Sequence, residues 1–216
     1  FLVRHGVVYS GKSKWGTTHT KWLKELELSS MLREILDEYI YHINSLNENI
    51  DRYTTRIEEL SHQEKYDEPI KNLRCIKGID TMSAMTLHIE ISDFNRFPNA
   101  NAFMSFCGLT PGENSSGDKG HRLAITKQGN SLVRTTLIES ANSIVKGNIN
   151  QKSKRLLGRQ NGQDVKAIDY ADKASYRLQM KFNKMIQRGV KRNIAIVAVA
   201  RELAGFIWGM ETKAYV

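Results

Sequence analysis

From Leu32 to Leu60 the apolar residues Leu32, Leu36, Tyr39, Ile43, Leu46, Ile50, Tyr53, Ile57 and Leu60 recur at alternating steps of four and three. A strand sends successive side chains to opposite faces, so only a helix gathers this spacing into one stripe. Glu34, Asp37, Glu38, Glu48, Arg52 and Glu58 fall between the seam positions and keep the opposite face wet. Four successive heptads predict a projecting coiled-coil arm, and with it a homodimer or larger assembly. The other way to satisfy such a seam is a long helix packed on its own domain.

The arm needs an end. His62 to Glu68 is charged and poor in apolar residues, and Pro69 disfavours helical geometry at Glu68, so the helix is expected to stop there. The chain then divides into a linker and coiled-coil arm over residues 1–68 and a compact domain over 69–216. Within the first part, Ser10-Gly11-Lys12-Ser13-Lys14 and Gly16-Thr17-Thr18-His19 read as loop.

With 216 residues, 40% of them apolar, the chain can bury one substantial core beside the arm. Lys and Arg number 32 against 23 Asp and Glu, a formal charge of +9. That field attracts a polyanion and makes the binding salt-dependent, which puts nucleic acid first among partners. A basic surface kept for solubility is the plainer account of the same charge. Cys75 and Cys107 stand far apart with no Cys-x-x-Cys spacing, so neither a disulfide framework nor a zinc site is expected, and a reducing cytoplasm fits. The apolar tail from Ile194 to Met210 is broken by Arg201, Glu202 and Gly205, so no membrane span is expected. Phe1 to Gly6 lacks an initiating Met and does not read as a signal peptide, and the chain is expected to be part of something longer.

Beyond Pro69 the pattern is mainly helical. Cys75-Ile76-Lys77-Gly78-Ile79-Asp80 sets a glycine between two isoleucines with helical spacing on either side, resembling a helix-hairpin-helix. Such a turn aims backbone N–H groups at a phosphate without reading sequence, which makes Lys77 and Gly78 candidate nucleic-acid contacts. Asp80 either caps the second helix or repels the phosphate. A short helix is expected from Ala100 to Phe106. Further helices are expected over Leu132 to Val145 and from about Asp169 to Met210, the latter broken near Gly189. Gly108 to Gly120 is rich in Gly, Ser and Asn and is expected to be an exposed or ligand-facing loop.

That loop is where chemistry is expected. Ser115 and Ser116 precede Gly117, and Lys119, His121, Arg122 and Lys127 follow. A serine hydroxyl attacks only when its proton is taken and charge on the attacked group is stabilised. Lys119, Arg122 and Lys127 are near enough in sequence to cradle a scissile phosphate, and Arg134 on the next helix is placed to reach back to it. A Ser-Ser-Gly loop is common, so spacing alone does not single out catalysis. Lys181, Lys184, Arg188, Lys191 and Arg192 make the later helices basic and read as backbone contacts to nucleic acid.

The run from Gly108-Leu109-Thr110-Pro111 through Ser115-Ser116-Gly117, Lys127-Gln128-Gly129-Asn130 and Leu132-Val133-Arg134 resembles the C-terminal domain of the insertion sequence 110 transposases, grouped with 116 and 902. The glycine turn at Ile76 to Ile79 and the tail from Lys191 to Leu203 fit the same family. The resemblance implies a DNA recombinase with an N-terminal RNase H-like domain of four metal-binding carboxylates, a coiled-coil arm, and a C-terminal domain that supplies a serine nucleophile. On the family's pattern that serine is Ser116, directly before Gly117, with Ser115 as runner-up. The resemblance also implies DNA as partner, a structured guide RNA in the full-length protein, and magnesium in the N-terminal domain. No acidic residue precedes Glu25, so this chain is expected to bind no metal of its own and not to transpose unaided. The competing reading is a non-catalytic coiled-coil module that holds nucleic acid through phosphate contacts alone.

Overall fold

The computed structural model describes residues 1–116 and 119–215, with side chains described outside 113–123. It is mainly helical, as the periodicity predicts. The chain forms two compact units, Phe1–Thr55 and Arg56–Val216.

In the first unit a 3-10 turn, Leu2–His5, precedes helix α1, Thr17–Glu25, and the start of helix α2, Ser30–Ser61. Helix α1 therefore begins inside the stretch expected to be loop, and it buries His19 and Leu23. The His19 Nδ1 accepts the Trp15 N–H at 3.2 Å, and its ring lies 4.6 Å from that of Tyr9. Arg33 forks onto Asp37 and donates to the Leu23 carbonyl at 3.0 Å. This sets a cation where the carbonyl end of α1 is negative.

Helix α2 runs for 32 residues, about 48 Å at 1.5 Å per residue. Of its seam, Leu36 is buried, whereas Leu46, Ile50 and Tyr53 are 61%, 60% and 59% exposed. The last turns, within the second unit, lay Ile57 and Leu60 on the core there.

The second unit continues with α3, Glu64–Arg74, and α4, Thr81–Ile91. The expected break at Glu68 does not occur, because Pro69 lies inside α3. The hydrogen bond that proline forgoes would go to the carbonyl of Lys65, an exposed residue in the helix's first turn. Burial of Ile70 and Leu73 against the core outweighs that loss. Helix α5, Ala100–Phe106, falls where expected.

Residues 108–120 are not simply loop. Strands β1, Pro111–Ser116, and β2, Lys119–Ile125, pair antiparallel, with Ser116 opposite Lys119, Ser115 opposite Gly120 and Glu113 opposite Arg122. Glycine- and serine-rich composition hides the strands, since a ladder of backbone hydrogen bonds needs no apolar alternation.

Helices α6, Ser131–Ile144, α7, Lys154–Gln160, α8, Val165–Gln187, and α9, Arg192–Glu211, complete the unit. The α8–α9 break surrounds Gly189, as the sequence predicts. Polar side chains start four of the helices: Asp80, Asn99, Asn130 and Ser153 each accept a first-turn N–H. Helix α9 is central and packs against α3, α5, α6 and α8. Among the described residues it is the one helix long and apolar enough to cross a membrane, with mean hydropathy 1.4 over its most apolar window. Its Ala195, Ile196, Val199, Ala200, Leu203, Ala204 and Ile207 are buried in the protein's own core.

Candidate nucleic-acid interface

Two sequence motifs meet at the base of the hairpin. The Lys127 N–H donates to the Gly108 carbonyl at 3.1 Å and the Thr126 N–H to the Thr110 carbonyl at 3.0 Å, so the Gly-Leu-Thr-Pro run lies beside the Lys-Gln-Gly-Asn run. Their backbones touch. Gly108 has φ +66°, and a Cβ there would stand 2.0 Å from the Gln128 carbonyl oxygen. Gly129 has φ +84°, and a Cβ there would stand 1.9 Å from the Phe106 carbonyl oxygen.

Arg134, in the first turns of α6, lies against the same junction. Its Nη1 is 3.4 Å from the carbonyls of both Cys107 and Gln128. Asn130 fixes the start of α6: its Oδ1 accepts from the N–H of Leu132 at 2.8 Å and of Val133 at 3.1 Å, while its Nδ2 donates to Glu90. Burial pushes the Cys107 thiol up to about 12, with Arg134 opposing. Lys127 is exposed beside Arg134's contacts. The side chains of Ser115, Ser116, Lys119, His121 and Arg122 lie outside the described residues, as do Gly117 and Asp118 altogether.

A second basic group sits at the other end of α6. Lys77 Nζ donates to the Lys146 carbonyl at 2.7 Å, and the Lys77 N–H reaches Ser175 Oγ at 3.4 Å. Burial lowers the Lys77 pKa. Gly78, φ +85°, packs so tightly that a Cβ would stand 2.7 Å from the Ser140 carbonyl oxygen. Arg192 Nη2 donates to Asn142 Oδ1 at 3.0 Å, and Lys191 is exposed next to it. Eight residues along α6 separate Arg134 from Asn142, about 12 Å. Among the described side chains the predicted cations thus form two groups: Lys127 and Arg134 by the hairpin, and Lys77 and Arg192 at the far end of α6.

Two readings are settled by partners. Asp80 caps α4, its Oδ1 accepting the Ser83 N–H at 2.9 Å. Lys181 is held by Glu202 at 2.6 Å, and Arg177 shares that carboxylate, so the exposed cations around the α8–α9 turn are Lys184, Arg188, Lys191 and Arg192. Sequence reasoning passed over Arg74 and Arg159, whose Nε atoms are buried without a hydrogen-bond partner. The available signal was weak: an arginine next to the glycine turn, and Arg155 and Arg159 one helical turn apart.

The match to known proteins spans this arrangement from α3 to α7. Residues 70–157 match the transposase IS116/IS110/IS902 family. The matched segment contains the glycine turn, the hairpin and α6. A putative transposase, y4qE, of Sinorhizobium fredii is 33% identical over 214 residues, covering 99% of this chain and 51% of that protein. The transposase for insertion sequence element IS1533 of Leptospira borgpetersenii is 28% identical, over 86% of this chain and 54% of its own length. The transposase for IS1111A of Coxiella burnetii is 26% identical, over 86% and 44%. The chain spans about half the length of these curated relatives.

Proposed function

We propose that this chain is the DNA-binding and serine-bearing part of a DNA transposase, and that Ser116 is the nucleophile. The family match over residues 70–157 carries the proposal, because it includes the hairpin that holds Ser115 and Ser116 and the helix that holds Arg134. In the proposed step the Ser116 hydroxyl loses its proton to a base, and its oxygen bonds to the scissile phosphorus. The bond to the leaving strand breaks, and that strand departs as a hydroxyl end. The cations at the hairpin base suit the charge that builds on the phosphate. Lys191 and Arg192, exposed at the start of α9, are proposed backbone contacts that hold DNA or a guide RNA.

Among the described residues no group of three or more His, Cys, Asp or Glu is placed to hold a metal. Following the family resemblance, the proposal assigns magnesium to an RNase H-like domain, and expects this chain alone to bind nucleic acid without cutting it. The oligomer is proposed to form through the exposed seam of α2.

The test joins the chain to the upstream domain of a relative, adds magnesium, element DNA and its RNA, and looks for a protein–DNA adduct under denaturing conditions. An adduct lost in Ser116→Ala and kept in Ser115→Ala supports the assignment. Loss in Ser115→Ala alone moves the nucleophile by one residue. Binding with no adduct from any serine leaves a phosphate-binding module in its place.

A further inference from the structure

Gln160 Nε2 donates to the Cys75 carbonyl at 2.9 Å, which pins the end of α7 to the first residue after α3. Arg74 precedes Cys75 and Arg159 precedes Gln160, and the two arginine charges lie within electrostatic reach of one another. The Nε atoms of both are buried and without a partner. Both side chains are half-buried, and a donor nitrogen left unpaired away from water costs free energy. Two side by side add mutual repulsion. Arg155, one turn earlier on α7, adds a third positive charge at the surface.

The nearby carboxylates each already accept a hydrogen bond from another donor. Asp172 accepts from Lys152 and, at 3.0 Å, from Gln160. Asp80 faces Ser83 as the cap of α4. Burial and then the neighbouring Arg74 lower the Arg159 pKa, with Asp80 and Cys75 acting in the opposite sense. The site is thus built of unpaired donors and excess positive charge, beside the glycine turn.

We infer that Arg74 and Arg159 form a clamp for one phosphate group, supplied by a nucleic-acid backbone, with Arg155 as its outer contact. Two guanidinium forks suit the several oxygens of one phosphate. The nucleic-acid source rests on the function proposed above; the clamp itself rests on the arginines.

The test melts the protein in inorganic phosphate and in chloride at equal ionic strength, and titrates it with a short DNA duplex across a salt range. The proteins are wild type, the Arg74→Gln/Arg159→Gln double variant, and Lys191→Gln/Arg192→Gln for comparison. Phosphate stabilises folded proteins in general, so the difference between proteins is the readout. The clamp predicts that phosphate raises the wild-type Tm more than that of the Arg74/Arg159 variant. It also predicts that in chloride this variant melts no lower than wild type, because repulsion has been removed. Its DNA affinity should fall about tenfold, the size of one charge-assisted contact. The slope of log K against log salt should shrink by about 1, one phosphate's worth.

A lower Tm in chloride with no difference in phosphate response makes the arginines structural and overturns the clamp. A lost phosphate response with unchanged DNA affinity makes the ligand free phosphate and overturns the nucleic-acid source. If wild type binds no DNA while the phosphate response still depends on the arginines, the clamp stands and the proposed function fails. Should the glutamine pair not fold, Arg74→Lys/Arg159→Lys keeps the charge and removes the forks, and is expected to lose most of the phosphate response.

Discussion

Gly108 and Gln128 meet backbone to backbone, so closely that a methyl group on Gly108 would stand 2.0 Å from the Gln128 carbonyl oxygen. The contact closes the base of the hairpin, and the positive φ of Gly108 adds a second reason for glycine there. Gly108→Ala is expected to cost more than about 2 kcal/mol, from clash and backbone strain together. Gly129→Ala should do the same through Phe106. Thermal melting checks both, and a variant that melts within a degree of wild type would show that the hairpin base yields.

The exposed stripe of α2 makes a separate prediction. Leu46→Asp with Ile50→Asp should abolish self-association, because charge replaces apolar contact along the seam. The variant should keep its helix content by circular dichroism. Sedimentation equilibrium decides: an unchanged mass for wild type and variant would mean that the stripe joins no second copy.

Glu202 ties α9 to α8 through Lys181 and Arg177. Burial raises its pKa, but the two cations outweigh burial and hold it below the ordinary 4.5. A lowered folded pKa means that the stabilisation is present above the ordinary value and is lost as pH falls through the folded one. Glu202→Gln should therefore lower stability at neutral pH by roughly 1–2 kcal/mol. The gap from wild type should close in acid. Melting curves from pH 7 down to pH 3 test the sign, and a constant gap would fail it.

Burial pushes the Cys75 thiol up to about 11 and the Cys107 thiol up to about 12. Both should resist alkylation in the folded protein at pH 8 and react once it unfolds. Their contribution to stability is full below the ordinary 9.0 and declines as pH rises toward the folded values. Rapid labelling of either thiol in the native state would contradict this.

The helices were legible where a single face carries the energy. The steps of four and three along α2 mark a helix whether the stripe is buried, as at Leu36, or exposed, as at Leu46 and Ile50, and Gly189 marks the break after α8. Pro69 was misread because its local preference competes with two buried neighbours, Ile70 and Leu73, that local reasoning does not see. The hairpin was missed because main-chain pairing left no apolar pattern over residues 111–116. Within the candidate interface, serine, glycine and lysine could be picked out by type. Nothing in the residue order reveals that Lys127 pairs with Gly108, or that Arg192 meets Asn142 near the end of α6 while Arg134 stands near its start. Arg74 and Arg159, 85 positions apart, became neighbours only through Gln160 and Cys75.

The place of α9 in the core has a consequence for synthesis. A ribosome that has released residues 70–157 has made the glycine turn, the hairpin and α6, yet the helix around which they pack, Arg192–Glu211, is still to come. Until it emerges, Leu137, Ile144 and Phe103 have no central surface to close on, and the nascent chain must be kept from aggregation by other means. A message interrupted shortly before the codon for Arg192 would thus yield a polypeptide with every proposed hairpin residue and without the helix that those elements pack around.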